Sequence, residues 1–354
     1  MSDLLVTGGA GFIGANFVRH WRAAHPEAAI VVLDALTYAG NAANLNDLDG
    51  VELVRGDIAD EAMVASLLRD RALDTIVHFA AESHVDRSIS GPDAFVQTNV
   101  VGTHALLTAA RRVWLEGSGK PHRFHHISTD EVFGSLGPDE PAFHEATPYA
   151  PNSPYAASKA ASDHLVRACH HTYGLQTSIT NCSNNYGPYQ FPEKLIPLFL
   201  VNALTGKALP IYGDGMNARD WLHVGDHCVA IELVLKNGQP GETYNVGGGV
   251  ELPNLTVVGA ICDAVDGAFR DDPALTERFP DAPAAKGGSS HDLRTFVTDR
   301  AGHDRRYAID ERKIARELGY APQRGFEEGL AETIRWYLAN EDWWRAIFDG
   351  SYRR

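Results

Sequence analysis

Cysteine and methionine are scarce in this chain, four and three of 354 residues. The cysteines (Cys169, Cys182, Cys228, Cys262) form no Cys-x-x-Cys pair, which argues against a disulfide framework or a metal centre and for reduced, packed thiols in a cytoplasmic protein. No apolar run approaches the roughly 18 residues of a membrane-spanning helix, so no membrane association is expected. The opening "MSDLLVTGGAGFIG" enters a strand at once and has no charged segment followed by a long apolar stretch, so no signal peptide is expected. Basic residues are also short, 31 against 46 acidic, for a net charge of −15. That field repels nucleic acid, while a small anionic ligand can still be held by a local cluster of arginines. Internal repeats and low-complexity tracts are absent.

What is present is a regular alternation. With 44% hydrophobic residues the chain can bury a sizeable core, and its length suggests one large domain and a smaller one. Short β-branched runs ("DLLVTGG", "AIVVLDAL", "VELVRGD", "TIVHFAA", "FHHIST", "TSITNCS") are separated by segments of helical spacing. This is the βαβ pattern of a Rossmann-type, doubly wound parallel sheet, an α/β fold with a smaller C-terminal substrate-binding domain. Residues 1–185, with a returning segment at about 220–248, are assigned to the large domain, and 186–219 with 249–354 to the smaller one. A short strand is expected in "LPIYGDG", helices with loops after about residue 250, and a mobile loop in the Pro/Gly/Ser-rich stretch Pro280 to Asp292.

Gly8, Gly11 and Gly14 lie in "VTGGAGFIGANFV", between the first strand and the first helix, where glycines let the backbone approach a pyrophosphate. Asp34 ends the next strand, placed for both ribose hydroxyls, and its carboxylate would repel a 2′-phosphate, so NAD is expected. Asp57 and Ile58 follow the third strand, where an Asp can meet the adenine edge, and Ala80 and Ala81 follow the fourth. Tyr155 and Lys159 stand four apart on a helix, hence on one face. An ammonium beside a phenol lowers its pKa and prepares a base for a sugar hydroxyl. The stretch "HHISTDEVFG" then sets Asp130 and Glu131 side by side after Ser128 and Thr129, more acid than a simple dehydrogenase needs. For both to reach one sugar the backbone has to leave strand geometry at Thr129, because adjacent strand side chains face opposite ways.

The segments "TGGAGFIG", "DALTYAGN", "AAESHVDRSI", "HHISTDEVFG", "SPYAASKAASDHLV", "NCSNNYGPYQFPEKLIP", "LPIYGDGMNARDWLHVGDH" and "DRAGHDRRYAIDERKIARELGY" resemble the extended short-chain dehydrogenase/reductase family, and within it the nucleotide-sugar 4,6-dehydratases. The resemblance runs from Thr7 to Tyr320. It implies dTDP-glucose as substrate: oxidation at C4 by Tyr155 with Lys159 and Thr129, loss of water across C5 and C6 with Glu131 as base and Asp130 as acid, and hydride return to C6. It adds Phe12, Ile13, Leu36, Thr37, Thr98 and Asn185 to the cofactor contacts. It puts Ser83, Asn184, Lys194, Leu195, Pro210, Ile211, Tyr212, Arg219, Asn254, Asp299, Arg300 and His303 on the substrate. His84, Asp86 and Arg87 receive support roles only. The segments around Asn254 and Pro280–Asp292 diverge from the family pattern. Helices at about Pro92–Val113 and Pro154–Tyr173 carry broad apolar stripes, which the resemblance reads as a homodimer through a four-helix bundle and which could equally be ordinary core.

Two other readings stand beside this one. An epimerase or other redox enzyme of the same family would leave the acid pair idle, and a non-catalytic NAD-binding regulator would lack the Tyr or the Lys. The residues themselves leave the nucleotide base, the hexose and the pathway open.

Overall fold

A computed structural model describes residues 2–353; residues 1 and 354, the ends of the two expected domains, lie outside the described residues. Seven parallel strands form the large sheet: β1 (Leu4–Thr7), β2 (Ile30–Asp34), β3 (Val51–Arg55), β4 (Thr75–His78), β5 (Arg123–Thr129), β6 (Thr177–Cys182) and, much later in the chain, Thr243–Val246. From one edge to the other the order is Thr243–Val246, β6, β5, β4, β1, β2, β3. β1, β2, β4 and β6 are buried along their whole length; β1 and β2 accordingly read as largely apolar runs rather than alternating ones, while β6 buries a mainly polar sequence. Only the edge strand β3 alternates between exposed and half-buried residues. Helices cover both faces over two apolar layers, one around Leu106, Trp114 and Phe124 and the other around Phe17, Val18 and Val32.

The order reverses between β1 and β4, and an open α/β sheet gathers ligands at such a crossing. β5 and β6 are in register so that Thr129 lies opposite Cys182 and Ser128 opposite Asn181.

The smaller unit has two sheets of its own. Asn184–Tyr186, Ala218–His223 and Glu251–Pro253 form one, and Leu209–Tyr212 with Arg294–Val297 the other. Its core is formed by Tyr186, Trp221, Phe326 and Trp344 with the helices Leu195–Leu204, Asn254–Asp271 and Phe326–Ala339.

Three details differ from the sequence reading. Ala218–His223 pairs outside the large sheet, so the segment that returns to it begins with the helix Val224–Asn237. The region after residue 250 contains two short strands as well as helices. The stretch 280–292 is no loose loop. It folds into turns at Pro283–Lys286 and Ser290–Leu293, buries Ala282 and Ser290, and is tied down by the Asp266 carboxylate, which accepts from Ser289 Oγ (2.7 Å) and Ser290 N (3.0 Å). Composition signalled the turns there but not the anchor, which lies on a helix earlier in the chain. Among the described residues no helix is long and apolar enough to cross a membrane.

Candidate active site

One cavity of about 400 Å³ opens where the sheet order reverses. Its cofactor end is built by the β1 turn. Gly8 adopts a left-handed conformation (φ +69°), and a Cβ there would stand 2.6 Å from Ala80 N. A Cβ on Gly14 would stand 2.3 Å from Gly8 O. The turn therefore holds backbone against backbone, a packing only glycine permits. The helix Phe12–Ala24 starts at Gly11 with no side-chain cap and no acid in its first turn, which leaves its N–H groups and positive dipole end to an anion. Asp34 completes this end: one carboxylate oxygen accepts from Ala10 N (3.0 Å) and the other from Leu36 N (2.8 Å), fixing the carboxylate against the glycine turn. This arrangement fits a dinucleotide with a free ribose diol.

Phe12, Ile13, Thr37, Asp57, Ile58, Ala80, Ala81, Thr98 and Asn185 line the same cavity. Leu36 does not, and meets it only through its backbone bond to Asp34. The Asn185 carbonyl is already taken by His227 Nδ1 (2.9 Å).

The acids stand at the other end. β5 stays extended through Thr129 (φ −138°, ψ 151°), and a 3₁₀ turn over Asp130–Phe133 follows at once, its first N–H bonds aided by the Thr129 hydroxyl accepting from Glu131 N (3.3 Å). That change of geometry brings both Asp130 and Glu131 to the cavity wall with Tyr155 and Lys159. The helix Pro154–Tyr173 is launched by Ser153, whose hydroxyl accepts from Ala156 N (3.0 Å), with proline in the first turn.

Burial first, then the Glu131 and Asp220 carboxylates, hold the Asp130 carboxyl well above its ordinary range. Burial also raises Glu131, but Lys194, Arg300 and Arg219 pull it back. The pair is thus unequal, with Asp130 the better proton holder and Glu131 the better base. Tyr155 departs from the sequence expectation. Burial and then Glu131 push its phenol well above the ordinary value, and Thr129 is the group that lowers it. The Lys159 ammonium donates instead to Ile127 O at 2.8 Å.

The residues expected at the substrate divide. Ser83, Asn184, Lys194 and Leu195 line the cavity, with Lys194 Nζ donating to Ser83 O (2.9 Å) and Asn184 Oδ1 buried without a protein partner among the described residues. Pro210, Ile211, Tyr212, Arg219, Asn254, Asp299, Arg300 and His303 lie outside its lining. Ile211 is a core residue of the smaller unit, so its side chain is committed to packing there. Arg219, Asp299, Arg300 and His303 belong to a polar cluster: buried Arg219 donates to Asp304 O (2.8 Å) and lies over the Tyr307 ring at 4.2 Å, His303 bonds Asp299 (2.6 Å), and Arg300 bonds Asp86 (3.1 Å). His84, 3.7 Å from Glu193, is held to about 4 by burial and then by Lys194, which leaves it neutral in a supporting place.

Sequence reasoning passed over Glu193, Asp220 and Tyr307. Each sits within a segment of the resemblance ("FPEK", "ARDW", "RRYAID"), and a carboxylate next to the arginine expected at the diphosphate was the available signal for Asp220.

The family model described as GDP-mannose 4,6 dehydratase matches residues 5–333. A dTDP-glucose 4,6-dehydratase of Xanthomonas campestris pv. campestris (strain B100) is 55% identical over 100% of this chain and 98% of its own length. One from Escherichia coli is 50% identical over 99% and 97%. The crystal structure of DesIV, a dTDP-glucose 4,6-dehydratase from Streptomyces venezuelae with NAD and dTDP bound, superposes with a TM-score of 0.86 at 50% identity, covering 98% of this chain and 99% of that one.

Proposed function

Because this chain belongs to the nucleotide-sugar 4,6-dehydratase family, we propose that it converts dTDP-glucose to dTDP-4-keto-6-deoxyglucose and water, and that it uses NAD to do so. The observation that carries the reading is the unequal acid pair on one cavity wall with Tyr155 and Lys159. NAD supplies the hydride acceptor and donor that make the overall reaction redox-neutral. Gly8, Gly11, Gly14 and Asp34 would hold it, with Thr37, Asp57, Ile58 and Thr98 along its length.

The chain's own groups handle the protons. Tyr155 is assigned the proton of the sugar 4-hydroxyl, which it accepts as phenolate against the pull of burial and Glu131. Glu131, kept the more acidic of the pair by Lys194 and Arg300, removes the C5 proton that the 4-ketone has acidified. Asp130, kept protonated by burial and by Glu131, donates to the departing 6-hydroxyl. Glu131 then returns its proton to C5. An epimerase has no use for this division of labour between two carboxyls.

Ser83, Asn184 and Lys194 are assigned to the sugar, and Arg219, Arg300 and His303 with Asn254 to the nucleotide diphosphate, where arginine forks suit phosphate oxygens. The large-sheet residues and the smaller unit are taken as cofactor and substrate domains. We assign a cytoplasmic location and a homodimer through the helical rods Asp93–Ser118 and Pro154–Tyr173. Supporting the dimer, Val96 (52% exposed), Val101 (43%) and Tyr173 (50%) lie on these rods. The product feeds deoxysugar synthesis, dTDP-rhamnose being one such destination.

The test is incubation of the holoenzyme with dTDP-glucose deuterated at C4. Deuterium in a C6 methyl group is the expected product; an epimer, a plain ketone or no product would overturn the reading.

A further inference from the structure

Behind Lys159, on the side away from the cavity wall, lies a second polar group that the reaction does not use. Along the helix Pro154–Tyr173, Lys159, Asp163 and Arg167 follow one another at one-turn spacing, so a cation, an anion and a cation share one face. Asp163 is fully buried, and so is His126 on β5. A single ring nitrogen, His126 Nε2, stands 3.4 Å from Lys159 Nζ and 3.3 Å from Asp163 Oδ1. It can accept from the ammonium or donate to the carboxylate, one at a time. The other Asp163 oxygen accepts from Ser128 Oγ (2.9 Å) and Tyr149 OH (2.8 Å), and Tyr149 in turn accepts from Arg167 (2.9 Å). A buried carboxylate this heavily bonded has little freedom to move.

We propose that Asp163, with His126 between them, is the counter-ion that keeps Lys159 charged and in place, so that these two are positioning residues for the Tyr155–Lys159 couple. The inference rests on the reading of that couple given above. An ammonium in a dry interior sheds its proton unless an anion lies near. Burial brings Lys159 down to about 8, and Asp163 is the strongest influence holding it up. Burial likewise takes His126 down to about 4 and so keeps the ring neutral, which leaves the Asp163 charge to serve the lysine. Burial would raise Asp163, but the bond and charge of His126, Lys159 and the Tyr149 hydroxyl together hold it below the ordinary carboxylate range. The remaining groups facing Lys159 do not compete in the working range. From β6, Cys182 is pushed up to about 12, chiefly by burial, and stays a thiol. From β4, His78, whose ring lies 5.1 Å from that of His126, is driven well below its ordinary value by burial and stays neutral.

The experiment compares kcat and KM against pH for wild-type and Asp163→Asn holoenzyme with dTDP-glucose. Loss of an opposite charge at this range shifts a pKa by about one unit or more. The alkaline limb of kcat is therefore expected to move down by about one pH unit or more, with kcat at pH 7.5 falling about three-fold or more and KM staying within about three-fold. The product remains the 4-keto-6-deoxy sugar. An unmoved limb, whatever the loss of melting temperature, would reduce Asp163 to a structural role and overturn the proposal; failure of the wild-type to form that product would instead overturn the reading of the couple. A measurement on wild-type holoenzyme needs no variant to fold: ring ¹⁵N shifts should show His126 neutral from pH 6 to 8. A cationic ring there would mean that Asp163 serves the histidine, and the proposal would fall.

Discussion

The Thr129 hydroxyl donates to Asp130 Oδ1 at 3.3 Å, while Asp130 Oδ2, equally buried, has no partner among the described residues. One oxygen is thus anchored at the end of β5 and the other is left to give up a proton. The arrangement suits an acid held neutral, since a buried carboxylate would call for more donors than one hydroxyl.

Asp130→Asn keeps the shape and removes the transferable proton. Loss of a general acid costs about 10²–10⁴-fold in the step it serves. Water loss should slow by that factor while oxidation at C4 survives, so a stopped-flow trace should show reduced cofactor accumulating with substrate. Glu131→Gln should instead abolish exchange of the C5 proton with deuterated solvent. Equal effects of the two variants on C5 exchange would contradict the assigned roles.

The raised carboxyl of Asp130 also predicts how stability varies with pH. In the unfolded chain it titrates near the ordinary value, and in the folded chain well above. Its contribution is therefore fully present below the ordinary carboxylate value and is lost as pH rises toward the folded one. Asn does not titrate, so the melting temperature of Asp130→Asn should exceed that of wild-type at pH 8 and converge on it near pH 4. A constant offset across that range would refute this account.

Gly14→Ala and Gly11→Ala separate packing from ligand contact. A Cβ at Gly14 falls 2.3 Å from Gly8 O, against 3.3 Å at Gly11. The first clash sets the new Cβ against a backbone carbonyl that cannot swing away and should cost at least about 1–3 kcal/mol, with loss of folded protein or of retained NAD. The second leaves room for small adjustments, and its melting temperature should stay close to wild-type. Calorimetry and the cofactor content of the purified proteins decide between them.

For the assigned dimer, a double variant Val96→Asp and Val101→Asp places two charges in the apolar patch. Light scattering should report a monomer with an unchanged circular dichroism spectrum. A dimer of wild-type size would move the interface elsewhere.

Much of this was legible in the sequence. β1, β2 and β4 are buried on both faces, so short apolar, β-branched runs marked them plainly. The glycine turn and Asp34 stood out because their chemistry depends on neighbours a few residues away. A bend at Thr129 could be deduced as a requirement of the acid pair; Thr129 itself stays extended and the bend begins at Asp130. What stayed hidden was decided by residues distant in the chain. Asp266 anchors the 280–292 stretch from another helix, Glu131 and burial set the Tyr155 phenol, and His126 read as core until the lysine was found beside it.

The late arrival of Thr243–Val246 at the edge of the large sheet bears on how the gene can be divided. A fragment stopping at residue 185 holds the first six strands, but β6 would then be an open edge, its backbone N–H and C=O groups bare where Thr243–Val246 should pair with Ile179–Cys182. Such an edge recruits other chains. Truncation at the apparent boundary should therefore give aggregates rather than a free-standing cofactor domain, and a fragment that keeps its solubility would have to carry the chain past Val246.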